Sequence, residues 1–248
     1  MELVGAGLTD TGCKRSENED HFLCDAAAGL FIVADGMGGR ARGEIASNIV
    51  VTLLPLMLQE RVAGGRVLPA EALAALLHDV LCQLSDNLYQ QSQKRPELQG
   101  MGSTAAVLLI RDRMAQVAYA GDSRVYLLRD AELIRLTEDQ TTAAALVRDG
   151  SLSAAEALRH PLRHALEEYI GREGCLSPGR RAEKLCAGDR WLLCSDGLTK
   201  GLPENALREL LLQRPTPEDA CQTLIATANA ADGTDNITVV VVDVTGTH

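Results

Sequence analysis

Aromatic side chains are scarce in this 248-residue chain, only 3% of it, so any core has to be built from Leu, Val, Ile and Ala. Paired cysteines are missing too. Seven cysteines stand at positions 13, 24, 82, 175, 186, 194 and 221, and no two of them form a Cys-x-x-Cys unit. That pattern supports neither a zinc site nor a thioredoxin-type motif, and the odd number of scattered thiols fits a reduced, cytoplasmic protein. Positive charge is in deficit: 24 Lys and Arg face 34 Asp and Glu, a net charge of −10. Such a balance argues against nucleic acid or an anionic membrane as the main partner. No long apolar run occurs. The longest uncharged stretch, Ile45 to Gln59, contains Ser47, Asn48, Thr52 and Pro55 and is too short to cross a bilayer, so no membrane insertion is expected. Met1 to Asp10 has neither the basic start nor the apolar centre of a signal peptide. With no repeat, low-complexity segment or linker, the expectation is one domain over residues 1–248.

What is present begins with Leu30-Phe31-Ile32-Val33-Ala34, five apolar residues that run into Asp35-Gly36-Met37-Gly38-Gly39. A short apolar run stopped by glycines reads as a buried strand, with Asp35 where strand gives way to loop. A carboxylate beside residues with almost no side chain lets a hard cation reach both Asp35 and the Gly36 carbonyl, and oxygen ligands of that kind suit magnesium or manganese. Earlier strands are expected at Leu3 to Thr11 and His21 to Cys24, the latter forming a hairpin with the run through Val33. Two helices should follow. The first, Glu44 to Gln59, carries Ile45, Ile49, Leu53 and Met57 on one face and is expected to kink at Pro55, with Gly64-Gly65 closing the unit. The second, about Pro69 to Ser92, keeps a leucine stripe over four turns.

Strands Thr104 to Ile110, Met114 to Ala120, Val125 to Leu128 and Leu133 to Leu136 are separated by short turns, which predicts an antiparallel meander. Thr137 to Leu185 is irregular, with short helices expected at Thr141 to Arg148 and Ser153 to Leu166, and could form a flap over a site. A strand at Trp191 to Cys194, helices at Glu204 to Leu212 and Pro217 to Asn229, and a last strand at Ile237 to Val244 complete an α+β chain with mainly antiparallel sheets.

Aspartates recur at the ends of these apolar strands: Asp20, Asp35, Asp122 after Gly121, Asp196 before Gly197, and Asp235. One is ordinary; five indicate strand ends that converge on a charged site. Clustered carboxylates raise one another's pKa, and a cation is the economical way to keep them ionised. Two divalent ions can clamp an in-line displacement at phosphorus and acidify the attacking water. Arg15, in the polar turn nearby, could receive the phosphate bidentately.

Arg15-Ser16-Glu17-Asn18-Glu19-Asp20, Val33-Ala34-Asp35-Gly36-Met37-Gly38-Gly39, Gly121-Asp122-Ser123-Arg124, Cys194-Ser195-Asp196-Gly197-Leu198 and Asp235-Asn236-Ile237-Thr238 resemble, in order, the motifs of the metal-dependent protein phosphatases, the PPM or type 2C family. The resemblance covers nearly the whole chain. It implies a four-layer sandwich, two antiparallel β-sheets flanked by helices, with a flap at about 137–185. It also implies hydrolysis of phosphoserine and phosphothreonine in proteins with Mn²⁺ or Mg²⁺. By that resemblance Asp35 bridges two core ions and Gly36 offers its carbonyl. Asp196 and Asp235 complete one ion's ligands, Glu19 and Asp20 hold waters on the other, and Arg15 clamps phosphate. Asp122 with Asp196 resembles a third-metal site. The compact chain resembles bacterial stand-alone phosphatases that oppose Ser/Thr kinases in signalling, so phosphorylated proteins and a cognate kinase are the implied partners.

Some positions depart from the family pattern. Met37 and Arg40 stand where relatives carry a histidine, and Asp139-Gln140-Thr141 stands where Asp-His-Ser is common. His160 and His164 lack metal-ligand spacing; His21 and His78 read as packing or surface residues. Two other readings remain on the page. A catalytically inactive family member would bind phosphoproteins, although the metal-binding carboxylates it should lack are present. A dinucleotide-binding protein would use Gly36 to Ala41, a formal match to the glycine fingerprint. Against the latter, Asp35 would face the pyrophosphate, and a second helix follows the first.

Overall fold

In the computed structural model, residues 1–38, 41–62 and 68–246 are described. Strand β3 (Leu30–Met37) is apolar on both faces, and this sets the layering. Leu30, Ile32 and Ala34 pack to one side; Phe31 and Val33 pack to the other. Alternate side chains of a strand point to opposite faces, so a run without polar interruption is one covered on both sides. It lies in a sheet with β2 (Asp20–Asp25), β4 (Gly102–Ser103), β5 (Ala105–Arg111), β6 (Met114–Ala120) and β9 (Gly179–Lys184), in the order β2-β3-β5-β6-β9 with β4 on β3. The second sheet holds β1 (Glu2–Asp10), β7 (Arg124–Arg129), β8 (Glu132–Arg135), β10 (Arg190–Cys194) and β11 (Ile237–Thr245), in the order β1-β11-β10-β7-β8. All pairings are antiparallel.

Three apolar clusters separate four layers. Phe31, Val33, Leu108 and Val117 of the first sheet meet Leu127, Trp191, Leu193 and Val240 of the second between the sheets. Helices α1 (Ala41–Arg61) and α2 (Ala70–Lys94) cover the outer face of the first sheet through Leu54, Leu77 and Leu81. Helices α5 (Asp196–Gly201), α6 (Glu204–Gln213) and α7 (Pro217–Ala231) cover the second through Leu198, Leu207 and Leu224. Two short helices, α3 (Thr142–Arg148) and α4 (Ala154–Ala157), lie in the excursion after β8. With few rings available, aliphatic side chains fill all three clusters, as the composition requires. The fold is the expected α+β sandwich.

Several local expectations are corrected. Strand β3 does not end before Asp35 but continues to Met37, because Gly36 and Met37 pair with Ser103 and Gly102 of β4. Helix α1 runs through Pro55 to Arg61, and its buried stripe is Ala46, Val50, Leu54 and Leu58; Ile45 and Leu53 are exposed. Both stripes have spacing four, and the helix is apolar nearly all round, so periodicity alone could not choose between them. The four central strands are not one meander. Hairpin β5–β6 belongs to one sheet and β7–β8 to the other, and the chain crosses over at Gly121-Asp122-Ser123. Only Ala154–Ala157 of the expected helix to Leu166 forms, since Pro161 cannot continue one. Residues 179–184, left in the irregular region by sequence reading, pair with β6. Gly39, Arg40 and Gly64-Gly65 lie outside the described residues.

Candidate metal centre

The acidic residues of the sequence motifs gather at one edge of the sandwich, where both sheets contribute. Asp20, the first residue of β2, sits directly across from Asp35 of β3 in the antiparallel register. Asp122 lies in the link that carries the chain from one sheet to the other. Asp196 opens helix α5 just after β10, and Asp235 stands two residues before β11. Arg15 reaches in from the turn after β1, its guanidinium 2.7 Å from Asp235 Oδ1. Glu19, next to Asp20, is close enough to feel the charges of Arg15 and Asp235.

Hydrogen bonds between distant segments hold this edge together. The Ser195 hydroxyl donates to Asp20 Oδ2 at 2.7 Å and accepts from the Thr238 N–H at 3.0 Å, tying β2 to the end of β10 and to β11 of the other sheet. Asn236 accepts from the Glu19 N–H at 2.9 Å and donates to the carbonyls of Thr11 and Glu17 at 2.8 and 2.9 Å, which pins the turn carrying Arg15. Thr104 Oγ1 accepts from the Asp35 N–H at 2.9 Å and lies 2.7 Å from Ser123 Oγ. Gly36 is required by sterics. A Cβ there would lie 2.0 Å from the Gly43 carbonyl oxygen and 2.6 Å from that of Glu19. Only a glycine lets α1 approach β3 this closely. Gly121, at φ +104°, adopts a backbone conformation other residues rarely take, and turns the chain between sheets beside Asp122.

The electrostatics are those of a site built to receive cations. Burial pushes the Asp20 carboxyl up to about 7, against the lowering effect of the hydroxyls of Ser195 and Thr238. Burial and then the Asp196 charge push Asp122 up to about 7 as well. Asp35 is driven well above the ordinary carboxylate range by burial, and further by Asp20, Asp196, Asp122 and Asp235. Burial also raises Glu19. Three carboxylate oxygens in this group, Glu19 Oε1, Asp20 Oδ1 and Asp196 Oδ1, are buried with no hydrogen-bond partner among the described residues. Orphaned acceptors of one sign in one place cost free energy unless a ligand satisfies them. Hard divalent cations that take oxygen ligands fit that set.

A cavity of about 1230 Å³ is lined by Arg15, Asp122, Asp196 and Asp235 together with residues of the α3–α4 excursion. Two residues here escaped sequence reasoning. Lys200, one turn after Asp196 on α5, places Nζ 2.5 Å from Asp196 Oδ2 and 2.8 Å from Asp235 Oδ2. His164, read from sequence as lacking any metal partner, lies with Nδ1 3.8 Å from Asp196 Oδ2. Its ligand atom and those of Asp122 and Asp196 all lie within 4.8 Å of one another. The i, i+4 spacing of Asp196 and Lys200 was a visible signal for the first; for the second there was none. His21 bonds Ser47 and His78 is exposed beside Asp79, as expected of packing and surface residues.

A family model described as protein phosphatase 2C matches residues 14–234. The chain belongs to the protein phosphatase 2C family. Among its phosphatase 2C relatives, the serine/threonine phosphatase stp of Listeria monocytogenes is 34% identical over 95% of this chain and 93% of its own length. The solved serine/threonine phosphatase of S. agalactiae is 32% identical, covers 98% of this chain and 99% of its own, and superposes with a TM-score of 0.88. The catalytic domain of the serine/threonine protein phosphatase PstP, solved in complex with two manganese ions, is 34% identical with 99% of each chain covered and a TM-score of 0.81. The dinucleotide reading fails on topology: β3 is antiparallel to both its long neighbours, and α1 leads into α2 rather than into a parallel strand. Among the described residues no helix is long and apolar enough to cross a membrane.

Proposed function

We propose that the acidic edge holds two divalent ions, Mn²⁺ or Mg²⁺, and that the cavity it lines admits phosphoserine and phosphothreonine side chains of proteins for hydrolysis. The observation that carries this reading is the convergence of Asp20, Asp35, Asp196 and Asp235 with three unpartnered buried carboxylate oxygens. Asp35, Asp196, Asp235 and the Gly36 carbonyl are the ligand groups; Glu19 and Asp20 orient the surrounding water. Ions bound there would supply an acidified water and relief of charge for in-line displacement at phosphorus.

The chain's own side chains do the rest. Arg15 is half-exposed at the cavity and paired to Asp235, so its guanidinium is held in place and can turn a face to a phosphate. Ser195 holds Asp20 through its hydroxyl hydrogen bond, and Asn236 ties the Arg15 turn to the segment just before β11. Positioning of this kind lowers the barrier by removing reorganisation at the moment of reaction. Met37 has no proton to give, so the histidine's role at that position in relatives has no counterpart here. The excursion between β8 and β9, whose residues line the cavity, acts as a flap that screens substrates. Cytoplasmic placement and opposition to a Ser/Thr kinase complete the proposal.

Purified protein stripped of metal should not hydrolyse a phosphoserine peptide, and added Mn²⁺ should start the reaction, with EDTA stopping it. Turnover that is indifferent to chelator would remove the basis of this reading.

A further inference from the structure

We propose that the cavity at the acidic edge has a second, basic part, carried by Arg148 and Arg163, which takes an anionic group beside the phosphorylated residue, either a carboxylate or a second phosphate. Resting on the reading of the cavity as the substrate entrance, this directs the enzyme to phosphorylation sites in acidic or multiply phosphorylated stretches. At about 1230 Å³ the cavity exceeds the range of about 300–1,000 Å³ usual for small-molecule sites, so one phosphoseryl side chain leaves most of it open. Its lining also includes Ala144, Val147, Ala157 and Leu158, an apolar surface against which a peptide chain can lie.

The chain as a whole carries a net charge of −10, yet four arginines outside the acidic edge line this one cavity: Arg124, Arg135, Arg148 and Arg163. Glu138 and Asp139 are the acidic lining residues outside the edge and the loop before β11. Arg124 and Arg135 are both held by Asp139, the first through two hydrogen bonds of 3.0 and 2.7 Å. One carboxylate shared by two guanidiniums leaves that group a net positive charge.

Arg148 and Arg163 differ from that pair. Both are exposed, and neither side chain has an ion-pair or hydrogen-bond partner among the described residues. Arg148 ends α3, and Arg163 directly precedes His164, whose Nδ1 lies 3.8 Å from Asp196 Oδ2. The excursion that carries them is closed at its neck, where the Thr142 N–H donates to the Ala165 carbonyl at 2.8 Å and the Glu167 N–H to the Gln140 carbonyl at 2.9 Å. A planar guanidinium without a partner of its own receives a carboxylate or a phosphate bidentately. The scissile phosphate belongs to Arg15 and the acidic edge, so Arg148 and Arg163 meet what stands beside it in the substrate chain.

Preference within one protein is the readout. The whole chain, with Mn²⁺, is given phosphoserine peptides that differ only in the residues on either side of the phosphorylated one: Asp, the non-hydrolysable phosphonate analogue of phosphoserine, Ala or Lys. Wild type should show a kcat/KM about tenfold higher for the anionic flanks than for Lys, expressed in KM, and rising salt should shrink that ratio. Arg148→Ala combined with Arg163→Ala should abolish the difference, and Arg148→Glu combined with Arg163→Glu should invert it. Arg148→Lys combined with Arg163→Lys should keep most of it. The Asp and phosphonate arms separate a carboxylate from a second phosphate as the group received. Because the ratio is taken inside one protein, a variant that is partly unfolded lowers all arms alike. A wild type without preference, or a preference that survives in the neutral and charge-reversed variants, would overturn the proposal. A wild type that hydrolyses neither these peptides nor p-nitrophenyl phosphate would instead defeat the hydrolase reading beneath it.

Discussion

Asp35 is strained electrostatically unless a cation is near. It is buried opposite Asp20, and burial together with four neighbouring aspartates holds its carboxyl far above the ordinary range. Sites that bind charge are commonly kept at a cost to the empty protein. Asp35→Asn removes the charge while keeping shape, so the metal-free variant should melt at or above the wild-type temperature. If Asp35 is a ligand of the proposed ions, the same variant should lose roughly 10³-fold or more in kcat/KM. Comparable kcat/KM in the two proteins would exclude the ligand role. Arg15 is a different case, half-exposed and touching the cluster only at Asp235. For Arg15→Ala we expect KM for p-nitrophenyl phosphate to rise roughly tenfold with kcat nearly retained, since a phosphate contact is lost and the nucleophile is not. A fall in kcat alone would point instead to a disturbed Asp235.

At the scale of elements, α1 shows how a helix that is apolar on most of its surface finds its orientation. Its first turn must lie where Gly36 and Gly43 meet backbone to backbone, and Ser47 donates to the Glu19 carbonyl at 2.5 Å. Those contacts rotate Leu54 into the cluster beneath the first sheet and leave Leu53 41% exposed. Leu54→Ala should therefore cost about 2–5 kcal/mol in a denaturant titration. Leu53→Ala should fall within about 0.5 kcal/mol of wild type. Equal losses would mean that the helix is turned differently. Strand β3 shows the complementary case: both faces are covered, so its apolar run has no periodicity to misread, and only its end was misjudged, by the pairing with β4.

For the molecule as a whole, the buried carboxyls of the acidic edge couple stability to pH. An unfolded aspartate titrates near 3.9, about three units below Asp20 and Asp122 in the metal-free fold, both held up to about 7. Between those values the folded chain carries more protons than the unfolded one, so stability falls as pH rises through the window. The metal-free protein should accordingly melt lower at about pH 8 than at about pH 5, and Mn²⁺ should raise the melting temperature more at the higher pH. A metal-free melting temperature that climbs over this range would show that the carboxyls ionise freely without a cation.

The sequence by itself determined the chemistry and most of the elements. Aspartates at strand ends, glycines beside them and unbroken apolar runs are local properties, and Arg15, Glu19, Asp20, Asp35, Gly36, Asp122, Asp196 and Asp235 do meet at one edge. Tertiary structure decided what no local pattern holds. It chose the face of α1, divided four consecutive strands between two sheets, and brought Ser195, Asn236 and Thr104 into the scaffold of the site. It also carried His164 to Asp196 and set Lys200 between Asp196 and Asp235. The reason is physical: periodicity reports which residues avoid water, whereas a contact between groups far apart in the chain depends on how the layers close over one another.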